Sequence, residues 1–286
     1  MKIVSKIILS MAFALLITLS FTSYVQAEAF KSMSFGGATG LISTPTAHTG
    51  WEGNAFGLDL GYHYINGNDK GSRGGENGEY HIPKALLHLG IAGTSLELGF
   101  AYDIQPEFGN DDKTNDLLFN VKWVFSKGIA IGGNFQRLDL NADASPKHDK
   151  TSSDEQIYLA FTFPGTFIAS MPAETTIVIG HTFYGEKGRT AADRQKKNID
   201  LSMGFDLDLL PQYFKGYIHW INDFSNYSYS TEAGGADAWY RGCFNTGLRI
   251  APLKEKKYKL NFDIILTDAL DNNRDWAFGV TFGLAL

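Results

Sequence analysis

Asn54-Ala55-Phe56-Gly57-Leu58-Asp59-Leu60-Gly61-Tyr62-His63-Tyr64-Ile65 is the stretch that decides the fold. Phe56, Leu58, Leu60, Tyr62 and Tyr64 share one face of an extended chain; Gly57, Asp59, Gly61 and His63 share the other. A period of two marks a strand with one greasy and one polar side. The alternation returns at 82–92, 95–105, 115–125, 129–140, 155–163, 174–184, 198–207, 214–222, 239–250, 257–266 and 275–286, most weakly at 129–140 and 214–222. Links after even-numbered strands are short, as in Gly93-Thr94 and Ser126-Lys127-Gly128, about six residues at 251–256, with 164–173 a longer exception. Links after odd-numbered strands are mostly longer and polar: 66–81, 105–114, 141–154, 185–198 and 223–238, with 267–274 shorter. Short turns at one rim, polar loops at the other and an even strand number predict an all-β, transmembrane, antiparallel up-and-down β-barrel of about twelve strands over 51–286.

Residues 1–27 read as a cleaved export signal. Lys2 and Lys6 give the positive start, 7–19 the apolar run, and Val25-Gln26-Ala27 the small-x-small site, with cleavage expected after Ala27. The alternative, a retained anchor, would need a longer run, about 20 residues. Without 1–27 the chain holds 23 basic and 31 acidic residues, a formal charge of −8, so nothing favours a nucleic-acid partner. One cysteine, Cys243, excludes an intrachain disulfide. A mean hydropathy of −0.15 excludes a helical membrane protein but not a barrel, in which only alternate residues meet lipid. The competing soluble sandwich would also alternate. Against it stand aromatics near strand ends (Tyr62, Tyr64, Tyr102, Trp123, Phe125, Trp276), as in an interfacial girdle, and an opposite face rich in glycine and alanine. Outer-membrane lipid is the expected surroundings.

If the apolar face meets lipid, parity fixes the lumen-lining candidates: Asp59, His63, Lys84, His88, Glu97, Asp103, Asp116, Lys122, Asp200, Asp206, Arg241, Arg249 and Asp263, with Asn120, Asn245 and Asn261. Two uses remain open: a hydrophilic channel, or a network of mutually paired groups that fills a narrow barrel. Arg241 and Arg249 alone make too thin a basic track for a dedicated acid-sugar channel. No H-E-x-x-H, G-x-S-x-G or clustered Cys/His pattern occurs, so no enzyme, metal or cofactor is expected. Asp59, His63 and Glu97 fall on neighbouring strands, where a paired network is a simpler reading than a catalytic set. A barrel lipid hydrolase is the rival of a different class.

Residues 28–50 precede the strands. Gly36-Gly37-Ala38-Thr39-Gly40-Leu41-Ile42-Ser43-Thr44-Pro45-Thr46-Ala47 has glycines that allow close backbone approach and a proline barred from a central ladder. The expectation is a segment over 34–50 tucked at the periplasmic mouth or inside the lumen; the alternative is a floppy terminus. Gly40, Leu41, Pro45, Thr46 and Ala47 are the core of a motif that resembles the lead-in of the YjbH-like family of outer-membrane barrels. The resemblance implies a role linked to exopolysaccharide production or export, with export components as partners. The last strand, alternating up to Leu286, resembles the C-terminal signal that barrel-assembly machinery reads, although most such clients end in phenylalanine.

Overall fold

The computed structural model describes residues 31–66, 79–104, 115–139, 152–167, 171–184, 199–226, 242–270 and 275–286. Residues 1–27 and the longer polar links lie outside them.

Twelve strands make a closed antiparallel barrel in which each pairs with its neighbours in sequence. They are β3 (Phe56–Asn66), β4 (Glu79–Ile91), β5 (Thr94–Ile104), β6 (Asn115–Ser126), β7 (Ile129–Asp139) and β8 (Ser152–Phe167), then β9 (Met171–Tyr184), β10 (Asp200–Asp208), β11 (Ile218–Ser225), β12 (Cys243–Lys254), β13 (Tyr258–Thr267) and β14 (Asp275–Ala285). β14 closes on β3, with Val280 opposite Tyr62 and Ala285 opposite Gly57. Before them come β1 (Ser32–Met33) and β2 (Thr39–Gly40), a two-stranded ladder of their own.

Side-chain placement is inverted relative to a water-soluble protein. Leu60 is 56 % exposed and Phe278 49 %, whereas Lys122, Glu97 and Arg249 are at most 1 % exposed. Water would solvate the charges and drive the leucines inward. A barrel with greasy exterior and charged interior suits a hydrocarbon surround, and closure leaves no strand edge unpaired in it.

The rims differ as the link lengths require. β4 passes to β5 through Ala92-Gly93, both at positive φ (46° and 82°), the backbone of a two-residue hairpin turn. The longer link expected over 164–173 is corrected: β8 continues through Pro164 to Phe167 and β9 starts at Met171. Alternation fades there because Pro164-Gly165-Thr166 carries no large apolar side chain, yet the ladder continues, with Pro164 opposite Glu174. The strand expected at 214–222 is displaced to 218–225. A one-turn helix α1 (Pro211–Phe214), entered and left through left-handed Leu210 and Lys215, and the turn after it take up its first residues. The turn expected at 251–256 is shortened, since a bulge after Ile250 lets β12 run on to Lys254.

Candidate functional site

The barrel is full. Residues 31–55 enter from the short-turn rim, climb the lumen, turn, and return to that rim to start β3. The climb is folded on itself: Ser34 N–H donates to Ala38 O, Phe35 to Ile42 O, Leu41 to Thr44 O and Thr46 to Thr39 O, at 2.7–3.1 Å. Gly40 lies against Pro45 so closely that a Cβ on it would fall 2.4 Å from Thr44 O. Gly40, Leu41, Pro45 and Thr46 thus form the bend of this plug, and Ala47 leads out of it, its N–H bonded to Thr162 Oγ1 at 2.8 Å.

Charged wall residues hold the plug by its backbone. Lys84 Nζ donates to Ser34 O at 2.7 Å. Lys122 Nζ donates to Thr39 O (2.9 Å) and His48 O (2.7 Å) and pairs with Glu97 at 2.8 Å. Glu97 in turn accepts from Thr39 Oγ1 (2.6 Å) and Gly50 N–H (2.7 Å). Arg249 reaches Gly40 O and Leu41 O at 3.1 Å while forking onto Asp263 at 2.9 and 3.2 Å. Lys259 pairs with Asp59 at 2.6 Å and donates to Lys31 O and Gly50 O. Asp59 also accepts from Trp51 Nε1 at 2.8 Å. Each of these buried charges therefore meets an opposite charge or a peptide dipole, the condition for keeping it dry.

The remaining candidates take other partners. His63 Nε2 lies 3.5 Å from Asp263, its ring edge-on to Phe35, and His88 contacts Asn54 O at 3.1 Å. Asp200 accepts from Gln156 (2.9 Å) and from Thr182, ending an amide chain that runs from Asn120 through Asn134. Asp206 binds His219 at 2.5 Å, and Asp103 is fully buried on the inner face. Asp116 opposes Asp103 in the ladder; its side chain, like all of Arg241, lies outside the described residues. Asp59, His63 and Glu97 each have separate partners rather than one another.

Asp223 was missed in the sequence. Its carboxylate accepts the N–H groups of Ile42 (3.1 Å), Ser43 (2.6 Å) and Thr44 (2.8 Å), the Ser43 hydroxyl, and Asn245 Nδ2 at 2.9 Å. Period-two reading ended that strand at 222 and put Asp223 in a loop. Lys259 was legible by parity between outward Tyr258 and Leu260 but not singled out.

Glycines on the wall make room. A Cβ on Gly57 would sit 2.1 Å from the Trp51 ring, and one on Gly99 2.6 Å from Gly37 O. Toward the long-link rim the lining turns apolar, and Phe35 and Ile42 pack with Ile65, Tyr80, Ile82, Leu118, Ile221 and Ile265. Two voids between plug and wall measure about 10 and 20 Å³, each about the room of one water. At the short-turn mouth His48 is held between Glu52 (2.7 Å) and Glu174 (3.0 Å). Burial opposes the charged ring, yet the bonds to Glu174 and Glu52 outweigh it and raise His48 above its ordinary value. Glu52 goes the other way: burial is outweighed by His48 and Lys31, which bring it down to about 2.

No family model and no curated sequence matches the chain. Its fold is similar to that of solved outer-membrane barrels. An outer-membrane channel from Pseudomonas putida F1 aligns over 92 % of this chain and all of its own, with a TM-score of 0.44 and 8 % identity. The beta domain of a Bordetella autotransporter aligns over 82 % and 100 %, with a TM-score of 0.45 and 11 % identity. The KdgM porin, solved in complex with disordered oligogalacturonate, aligns over 80 % and 99 %, with a TM-score of 0.42 and 10 % identity. The likeness is one of architecture alone.

Proposed function

We propose that this protein is a non-enzymatic outer-membrane passage, closed at rest by its own N-terminal segment, that serves exopolysaccharide export or envelope upkeep. One observation carries the passage: polar side chains grip the plug mainly through its backbone, and the wall behind it is hydrophilic for most of its height. A segment held by hydrogen bonds can exchange them for water as it leaves, so removing it exposes a wettable tube rather than an apolar one. The polysaccharide link is supported by the resemblance of 36–47 to the YjbH-like lead-in, which in this chain is the bend of the plug. The rival is a closed scaffold, favoured by the apolar layer around Phe35 and Ile42.

The test is electrical. A protease site is inserted after Gly53, an exposed tip where added atoms meet nothing. The full chain is refolded and cut, and the plug is washed out in mild urea, its departure read by mass and barrel integrity by heat-modifiability. The uncut protein should be silent in planar bilayers and the cut one should pass current. Silence of an intact barrel whose plug has left would end the passage reading in favour of the scaffold.

A further inference from the structure

We infer that the opened lumen is an acidic, cation-selective passage fitted to a glycan without carboxylates, neutral or amine-bearing, rather than to a uronic-acid polymer. The inference rests on the passage reading above and adds its cargo class.

The first argument is charge. Four strand cations are buried in the lumen: Lys84, Lys122, Arg249 and Lys259. Three of them are matched by carboxylates, Glu97, Asp263 and Asp59. Five further buried carboxylates face the same interior: Asp103, Glu174, Asp200, Asp206 and Asp223. Among the described residues eight buried strand acids thus stand against four lysine and arginine cations, an excess of four negative charges with the histidines neutral and of three with His219 charged on Asp206. In the closed state part of that excess is answered by the plug. Three of its peptide N–H groups converge on Asp223, and His48 meets Glu174. Withdrawing the plug takes these donors away and leaves the carboxylates to water and mobile ions. A narrow tube brings every ion within roughly one Debye length, about 8 Å, of its wall, so the surplus acts on whatever passes.

The second argument is the chemistry of the grip. The wall carboxylates bind hydroxyls and N–H groups of the plug: Thr39 Oγ1 on Glu97, Ser43 Oγ on Asp223 and Trp51 Nε1 on Asp59. Those donors are the kind that a sugar hydroxyl or amine presents. Asn261, 1 % exposed and facing the plug from β13, has neither amide atom hydrogen-bonded, a donor and an acceptor left over for a polar visitor. A carboxylate-bearing polymer keeps ring hydroxyls that can donate, but it brings its own negative charges against the negative excess of the wall.

The test uses the cut, washed barrel in a potassium chloride gradient. The reversal potential should have the sign of a channel several-fold more permeable to potassium than to chloride. Glucosamine oligomers should interrupt the current at lower concentration than galacturonate oligomers of equal length. In the same preparation Asp200→Asn combined with Asp206→Asn should lower the cation preference. The hydrogen bonds of these two carboxylates go to wall residues, Asp200 to Gln156 and Thr182 and Asp206 to His219, and asparagine keeps an acceptor for each, so heat-modifiability of the double variant should match the wild type. Current with chloride preference or none, equal block by the two oligomers, or a preference untouched by the double substitution would overturn the inference while leaving the passage intact. An absence of current fails the passage itself.

Discussion

Replacing Asp223 by alanine isolates the plug from the barrel. The carboxylate takes the N–H groups of Ile42, Ser43 and Thr44, all at the bend of the plug. A buried donor left without an acceptor costs about 1–3 kcal/mol, so three of them at the low end, with water relieving part of the loss, cost about 3 kcal/mol. The loss falls on the closed plug, because once the plug is out its amides are solvated with or without Asp223. At about 1.4 kcal/mol per factor of ten, the equilibrium for local opening rises by about a hundredfold. Hydrogen exchange of the refolded protein in detergent, read by mass spectrometry, measures that opening directly. Peptides over 39–46 should exchange about a hundredfold faster in Asp223→Ala, while β6 peptides over 115–126 stay at their wild-type rate. Asp223→Asn keeps an acceptor but not its charge and should fall between, since charge-assisted bonds are roughly twice as strong as neutral ones. Wild-type exchange over 39–46 would refute the reasoning. Equal acceleration in every strand would refute it too, by making Asp223 a support of the barrel instead of the plug.

Three other perturbations probe different layers. His48, raised above the ordinary 6.5 by Glu174 and Glu52, favours the closed mouth fully below that value and loses the contribution as pH climbs through its raised folded value. Brief openings of the uncut protein in bilayers should therefore become more frequent from neutral to alkaline pH, and His48→Gln should flatten that dependence; a profile unchanged by the substitution would count against the latch. Gly99→Ala drives a methyl to 2.6 Å from the backbone oxygen of Gly37, so maleimide labelling of a cysteine at Ala38 should speed up; labelling at the wild-type rate would mean the plug accommodates it. Phe119→Arg puts a charge on the outer face and should destabilise the protein in lipid vesicles by about 2–4 kcal/mol if it lies near the bilayer midplane, read from urea titrations. A neutral effect would argue that water, not hydrocarbon, faces Phe119.

The barrel was legible because its signal repeats. A lipid-facing Leu58 or Trp123 and a lumen-facing Asp59 or Lys122 alternate along one strand, and twelve copies outvote local irregularity. Boundaries were lost where the pattern is carried by residues without a strong preference, as in Pro164-Gly165-Thr166, or where a turn borrows apolar residues. Tyr213, Phe214 and Tyr217 look like strand residues in sequence, yet they sit in or beside the short helix α1 at the rim, exposed where aromatic side chains suit an interface. Parity also names an inward face without saying what it meets. His63 and Glu97 are both inward, but one packs on Phe35 and the other binds Gly50, and those partners come from a segment lacking any periodicity of its own. Asp223 was hidden for the same reason: its importance lies in the N–H groups of Ile42, Ser43 and Thr44, some 180 residues away.

The choice of charges over apolar packing in the lower lumen has a physical consequence. Well-packed hydrophobic residues in place of a buried pair such as Lys122–Glu97 are often neutral or stabilising, so the pair is not there for stability alone. What a charged grip adds is directionality. Lys122 fits only where Thr39 O and His48 O converge, and Arg249 only where Gly40 O, Leu41 O and Asp263 converge, so the plug has one register in the barrel. An apolar plug could slide, and once displaced would leave a dry tube. A polar one is either seated or replaced by water, two discrete states between which a partner or a solute can choose.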